Sequence, residues 1–203
     1  MSIRFFTKAM KKVQLSNRYL GRPINIIIYA FICILLHTFP AICENLNDEL
    51  ISASKNGDLV SMKVLISKGA NVNEIDPFGS TAIIYAVQSG DYDCVKFLIE
   101  EGSDVNIRNI SAFTPLIIAA KEGKVDIVNI LLDNGAEPDL KGGYGWTALM
   151  RATWGKHIEV VKALLEKGAD VNVKNDQGKT AIDIAETFGE PEMIQVLNGS
   201  KTK

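Results

Sequence analysis

Thr114-Pro115-Leu116-Ile117-Ile118-Ala119 decides the fold, because the same phrase occurs three more times at a fixed step. Thr81-Ala82-Ile83-Ile84-Tyr85-Ala86 stands thirty-three residues before it, and Thr147-Ala148-Leu149-Met150-Arg151-Ala152 thirty-three after. One further step reaches Thr180-Ala181-Ile182-Asp183-Ile184-Ala185. A constant period of this length marks one supersecondary unit stacked on copies of itself. Glycines keep the same step. Gly69, Gly102, Gly135 and Gly168 close helical runs, and Gly57, Gly90, Gly123 and Gly189 mark a second turn inside each unit. Between them run apolar stripes such as Cys94-Val95 with Phe97-Leu98-Ile99, and Ile127-Val128 with Ile130-Leu131-Leu132. Their i, i+3, i+4 spacing is that of a helix with one buried face. Each unit therefore reads as helix, glycine turn, helix, glycine stop and loop. A stack of such units offers one long surface and no single deep pocket, which favours binding over catalysis.

With its threonine-led phrase, helix pair and Gly168-Ala169-Asp170-Val171-Asn172 ending, the chain resembles the ankyrin repeat family, in an exported, bacterial-type form. The resemblance covers residues 46–198 and implies an all-α solenoid of helix-turn-helix units with β-turn fingers. It sets an N-terminal capping repeat at 46–76, full repeats at 77–109, 110–142 and 143–175, and a C-terminal capping repeat at 176–198. The repeated threonine is placed to cap the first helix by accepting an N2 or N3 amide, and Pro115 suits N1. Asp48 is the expected cap of the first unit, with Leu50 and Ala53 facing inward. Three departures stand out. Ile84, Ile117, Met150 and Asp183 occupy the place where the family carries histidine, so the polar network around that histidine is expected to be missing. Ala112 replaces the finger glycine found at Gly79, Gly145 and Gly178, and Lys156 takes the inter-helix turn after Gly155. A side chain held in a left-handed conformation costs about 1 kcal/mol.

The front of the chain differs in kind. All six charged residues of positions 1–43 are basic, which leaves sixteen Lys and Arg against twenty-four acids beyond them, a net charge of −8. Ile26 to Leu36 is an unbroken apolar run of eleven, continuing less regularly to Cys43. A basic leader, a short apolar core and a small-residue exit describe a signal peptide, with Ala41 and Cys43 ahead of a cut before Glu44. An uncleaved anchor is the rival reading. It needs roughly 20 apolar residues, and the segment 24–43 reaches that length only by including Asn25, His37 and Pro40. A lipid-modified Cys43 is a third, with bulky Ile42 against it. Met10-Lys11-Lys12 offers an alternative start to Met1. All three readings keep the basic end in the cytoplasm and put the repeats outside it.

Chemistry is sparse. No cofactor, metal site or catalytic residue is expected, and no small-molecule substrate. His157 sits near an inter-helix turn, where a structural role is the default, and Cys94 takes a helix position held elsewhere by Ile127 and Val160. An acidic domain repels phosphates, which excludes nucleic acid. A protein partner remains, bound by a monomer, with membrane contact only through 24–43 if that segment is uncleaved. In the family, contacts concentrate on residues flanking the finger glycine and just before the inter-helix turn. Carried onto this chain, those positions point to Phe78, Ile110, Phe113, Tyr144, Trp146 and Trp154, with Arg108, Lys141 and Lys174 at the finger bases orienting an acidic partner. Aromatic residues are enriched in interface hot spots. The alternative for each ring is packing sideways on the adjacent finger.

Overall fold

The structure, a computed structural model, describes residues 46–199. The segment read as signal peptide or anchor, 1–43, lies outside them. Ten helices follow in pairs. These are α1 (46–55) with α2 (Leu59–Ser67), α3 (Ala82–Ser89) with α4 (Tyr92–Glu100), and α5 (Pro115–Lys121) with α6 (Val125–Asp133). They continue with α7 (Ala148–Trp154) and α8 (Ile158–Glu166), then α9 (Ala181–Phe188) and α10 (Pro191–Gly199). The first helices α3, α5, α7 and α9 pack side by side in one layer, and α2, α4, α6, α8 and α10 in another. One continuous apolar core runs between the layers from Leu50 to Leu197, with Leu98, Leu131 and Leu164 fully buried at the same place in successive repeats. Among the described residues no helix is long and apolar enough to cross a membrane.

The repeated threonines act as the phrase implies, with one exception. Thr114, Thr147 and Thr180 accept hydrogen bonds from the N3 amides of Ile117, Met150 and Asp183. Thr81 makes no cap bond, and its buried hydroxyl has no partner. Two expectations are corrected. Asp48 does not cap α1, because the helix already includes 46 and 47 and Asp48 lies within it. The polar network is not lost everywhere. The Asp183 carboxylate accepts from both the backbone N–H and the hydroxyl of Thr180, a reciprocal capping box in which an acid does what histidine was expected to do. These bonds hold the Asp183 carboxyl below its ordinary value.

The turns between paired helices are tied backward across repeats. Lys124 donates through Nζ to the carbonyls of Val87 and Gln88 at the end of α3, at 3.3 and 3.1 Å. His157 Nε2 lies 3.0 Å from the Lys121 carbonyl at the end of α5. A cation or polar ring at a helix C-terminus satisfies carbonyls that have no partner inside the helix and complements its dipole. His157 is thus a structural residue.

The loops carry a second ladder. Asn73 donates to the Gly102 carbonyl at 3.0 Å and accepts from the Asp104 N–H at 2.9 Å; Asn106 repeats both bonds with Gly135 and Glu137. One period later stands Asp139, which accepts from the Asp170 N–H at 3.0 Å but, when ionised, has no hydrogen to give to the Gly168 carbonyl. Burial, and then the neighbouring Asp170 carboxylate, raise the Asp139 carboxyl above its ordinary value, against the lowering effect of that one bond. Asp139→Asn restores the missing donor and is expected to stabilise the protein by about 0.5–1.5 kcal/mol at neutral pH. An acid whose folded pKa lies above its unfolded value loses native-state stability as pH rises from 3.8 through the folded value. The advantage of Asn is therefore full at pH 7 and shrinks toward pH 3.8, where the protonated Asp139 can itself donate. Urea unfolding of both proteins at the two pH values measures this; equal midpoints at pH 7 would show that the rung contributes nothing.

Candidate functional site

Four fingers project where the chain turns into α3, α5, α7 and α9. In three of them the first residue is Asp76, Asn109 or Asn175, whose Oδ1 accepts from the N–H groups two and four residues on. This pins the turn. A glycine at φ 69° (Gly79) or 75° (Gly178), or Ala112 at φ 59°, then closes it. The left-handed Ala112 is as the sequence implied, and so is Lys156 at φ 59°.

The third finger is built differently. Gly142 occupies the Asp76 position, buried, and a Cβ there would lie 2.9 Å from Ile117 Cδ1. Without a side-chain acceptor at its base, the finger coils into a short 3-10 turn, Gly143–Gly145, and Tyr144 enters the left-handed region at φ 61°, ψ 24°. The sequence reading foresaw only Gly145 in that conformation. The turn carries the Tyr144 ring outward, 80% exposed, while its carbonyl accepts from the Asp176 N–H of the next finger at 3.2 Å.

From these fingers and the first-helix layer a row of rings assembles. Trp146 and Trp154 meet edge to face at 5.6 Å and 77°, and Trp154 meets Phe188 at 4.9 Å and 81°. Both are favourable geometries for aromatic pairs. Arg151, one turn before Trp154 on α7, places its guanidinium 4.7 Å from the Trp146 ring centre and 5.3 Å from that of Phe113. Lys156 covers Phe188 at 5.6 Å and pairs with Glu190. The row therefore crosses three repeats: Phe113, Arg151, Trp146, Trp154, Phe188.

Of the residues singled out from sequence, the structure brings Phe113, Trp146 and Trp154 together. Trp154 is 55% exposed, whereas Phe113 and Trp146 are half-buried and pack against the apolar core. Phe78, Ile110 and Tyr144 are exposed at the finger tips, apart from the row, with the Ile110 N–H bonded to the Phe78 carbonyl at 3.0 Å. Arg108, Lys141 and Lys174 are exposed at the finger bases, and Lys174 lies close enough to Asp183 to favour its charged form. Arg151 is not among the positions that the resemblance implies, and Phe188, although it holds one of the helix-end positions, is not among the residues singled out. The signal for Arg151 was its being the one basic residue within the four phrases.

Among the described residues no group of His, Cys, Asp and Glu is placed to hold a metal ion. Burial, and then the nearby Asp91 carboxylate, push the Cys94 thiol up to about 12, so it packs as a small apolar side chain. A family model described as ankyrin repeats (3 copies) matches the sequence over residues 33–109, 50–142 and 116–202. The first of these matches begins inside the apolar segment. No curated protein matches the chain significantly.

Proposed function

Because the chain belongs to the ankyrin repeat family, whose repeats are typically non-catalytic protein-interaction modules, we propose that its repeats dock a partner protein on the face formed by the fingers and first helices. The observation that carries this reading is the row Phe113, Trp146, Trp154 and Phe188, in which both tryptophans of the chain fall on one face across three repeats. The face is preformed, held by caps, loop rungs and ring contacts, so little ordering entropy is lost on binding. Phe78, Ile110 and Tyr144 extend it along the finger tips, and Arg108, Lys141 and Lys174 border it with positive charge. The test is capture of partners by the parent beside Trp146→Ala and Trp154→Ala; equal capture by all three would refute it.

The protein is further read as exported across the cytoplasmic membrane and acting in the periplasm or outside the cell. Support comes from the basic leader and the eleven-residue apolar run ahead of Glu44. Intact mass of the purified protein is expected to correspond to a chain starting at Glu44. A mass that retains residues 24–43, in a membrane fraction, would instead make this a tethered factor holding its partner at the bilayer.

A further inference from the structure

Among the described residues Arg151 is the one partly buried cation of the face whose side chain has neither a hydrogen bond nor an ion pair. Its guanidinium lies between the rings of Phe113 and Trp146 and makes no hydrogen bond or ion pair among the described residues; its buried Nε has no partner at all. The neighbouring cations are already engaged. Lys121 pairs with Glu122, and Lys156 with Glu190. Burial alone lowers the Arg151 pKa, with no carboxylate acting on it, and an arginine nonetheless stays protonated at neutral pH.

A partly desolvated cation lying 4.7 and 5.3 Å from two ring centres has less freedom to reorient than one in open solvent, and its accessible N–H groups remain free to bond. A planar fork held this way matches a carboxylate, which accepts two parallel bonds from it. The rings offer no full acceptor to the accessible N–H groups of this guanidinium, whereas an anionic one pairs with both its charge and its donors.

We propose that Arg151 is the receptor for an aspartate or glutamate side chain of the partner, seated beside an apolar partner residue that covers Trp154. This deepens the docking reading and rests on it. A carboxylate fits better than a phosphate group on charge. A single uncompensated guanidinium matches one negative charge, and a domain of net charge −8 beyond residue 43 repels a more highly charged ligand. The partner segment thus carries an acid and an aliphatic or aromatic residue spaced to reach from Arg151 to Trp154, which stand three residues apart on α7.

The test is selection of random dodecapeptides, displayed on phage, against the immobilised full-length protein. Enriched peptides are expected to share one Asp or Glu at a fixed register beside an apolar residue. Affinity of a synthetic peptide made from that consensus is then read by tryptophan emission. It is expected to fall about thirtyfold on Arg151→Met, by as much when the peptide acid is changed to its amide, and no further when both changes are combined. Arg151→Lys is expected to recover part of the loss, because it keeps the charge without the fork. Should Arg151→Met fail to fold, the amide peptide on the parent protein carries the test alone. An amide peptide that binds as well as the acid overturns the proposal, and so does a consensus without an acid. Peptides that need Trp154 but carry no acid overturn only this inference and leave docking on the face standing. A selection with no binders on this face overturns both.

Discussion

Gly145→Ala is expected to destabilise the protein by about 2–4 kcal/mol, the sum of a left-handed side chain and an overpacked contact. Gly145 stands at φ 71°, and a Cβ there would lie 2.4 Å from Asp176 Oδ1 and 2.8 Å from the Asp176 backbone nitrogen. A side-chain oxygen can swing away; the backbone of the next finger cannot without breaking the bond from Asp176 N–H to the Tyr144 carbonyl. Gly178→Ala is the matched control, because Gly178 has nearly the same conformation at φ 75° and open space around it. It isolates the backbone cost, about 1–2 kcal/mol. Chemical unfolding of the two variants beside the parent decides the matter. Equal losses would show that the fingers are not in firm contact. The chain already holds one natural version of this substitution at Ala112. One period on from Ile110, which crowds Gly79, the facing residue is Gly143, so the Ala112 methyl meets a finger that has no side chain there.

Trp154→Ala is expected to weaken partner binding by about thirtyfold or more, the loss typical of a central aromatic hot spot. Its effect on stability should be smaller. The ring is 55% exposed and gives up two edge-to-face pairs, with Trp146 and Phe188, each contributing roughly 0.5–1.5 kcal/mol. The two readouts separate function from folding. A variant that unfolds a few degrees early yet binds normally would place the partner elsewhere. One that folds like the parent and captures nothing would place it here.

Sequence carried the architecture in full measure where local rules decide it. The thirty-three-residue step, the glycine stops and the apolar stripes each constrain one repeat, and every repeat restates them, so the paired helices and the positive φ at Ala112 and Lys156 could be read in advance. Tyr144 could not. Gly142, Gly143 and Gly145 surround it, and three permissive positions in four residues leave the turn to be settled by contacts with Ile117 and Asp176 from other repeats. The role of Asp183 is hidden in the sequence because the family's histidine is missing there, yet a short acid at N3 reaches the same threonine. Arg151 is legible as an unusual residue and illegible as a stacked one. Phe113 and Trp146 lie on two successive fingers, and only the stacking of repeats brings both onto its flanks.

Asp139 gives the array an uneven mechanical character. Loops whose neighbours are fastened twice, through Asn73 and Asn106, resist splaying; the loops that share the single rung from Asp170 N–H to Asp139, with one exposed Lys167–Asp133 ion pair beside it, yield first. That softer joint lies between the repeat bearing Phe113 and the repeat bearing Trp154. A guest that touches both rings would bend the stack at that joint before it bent any single repeat.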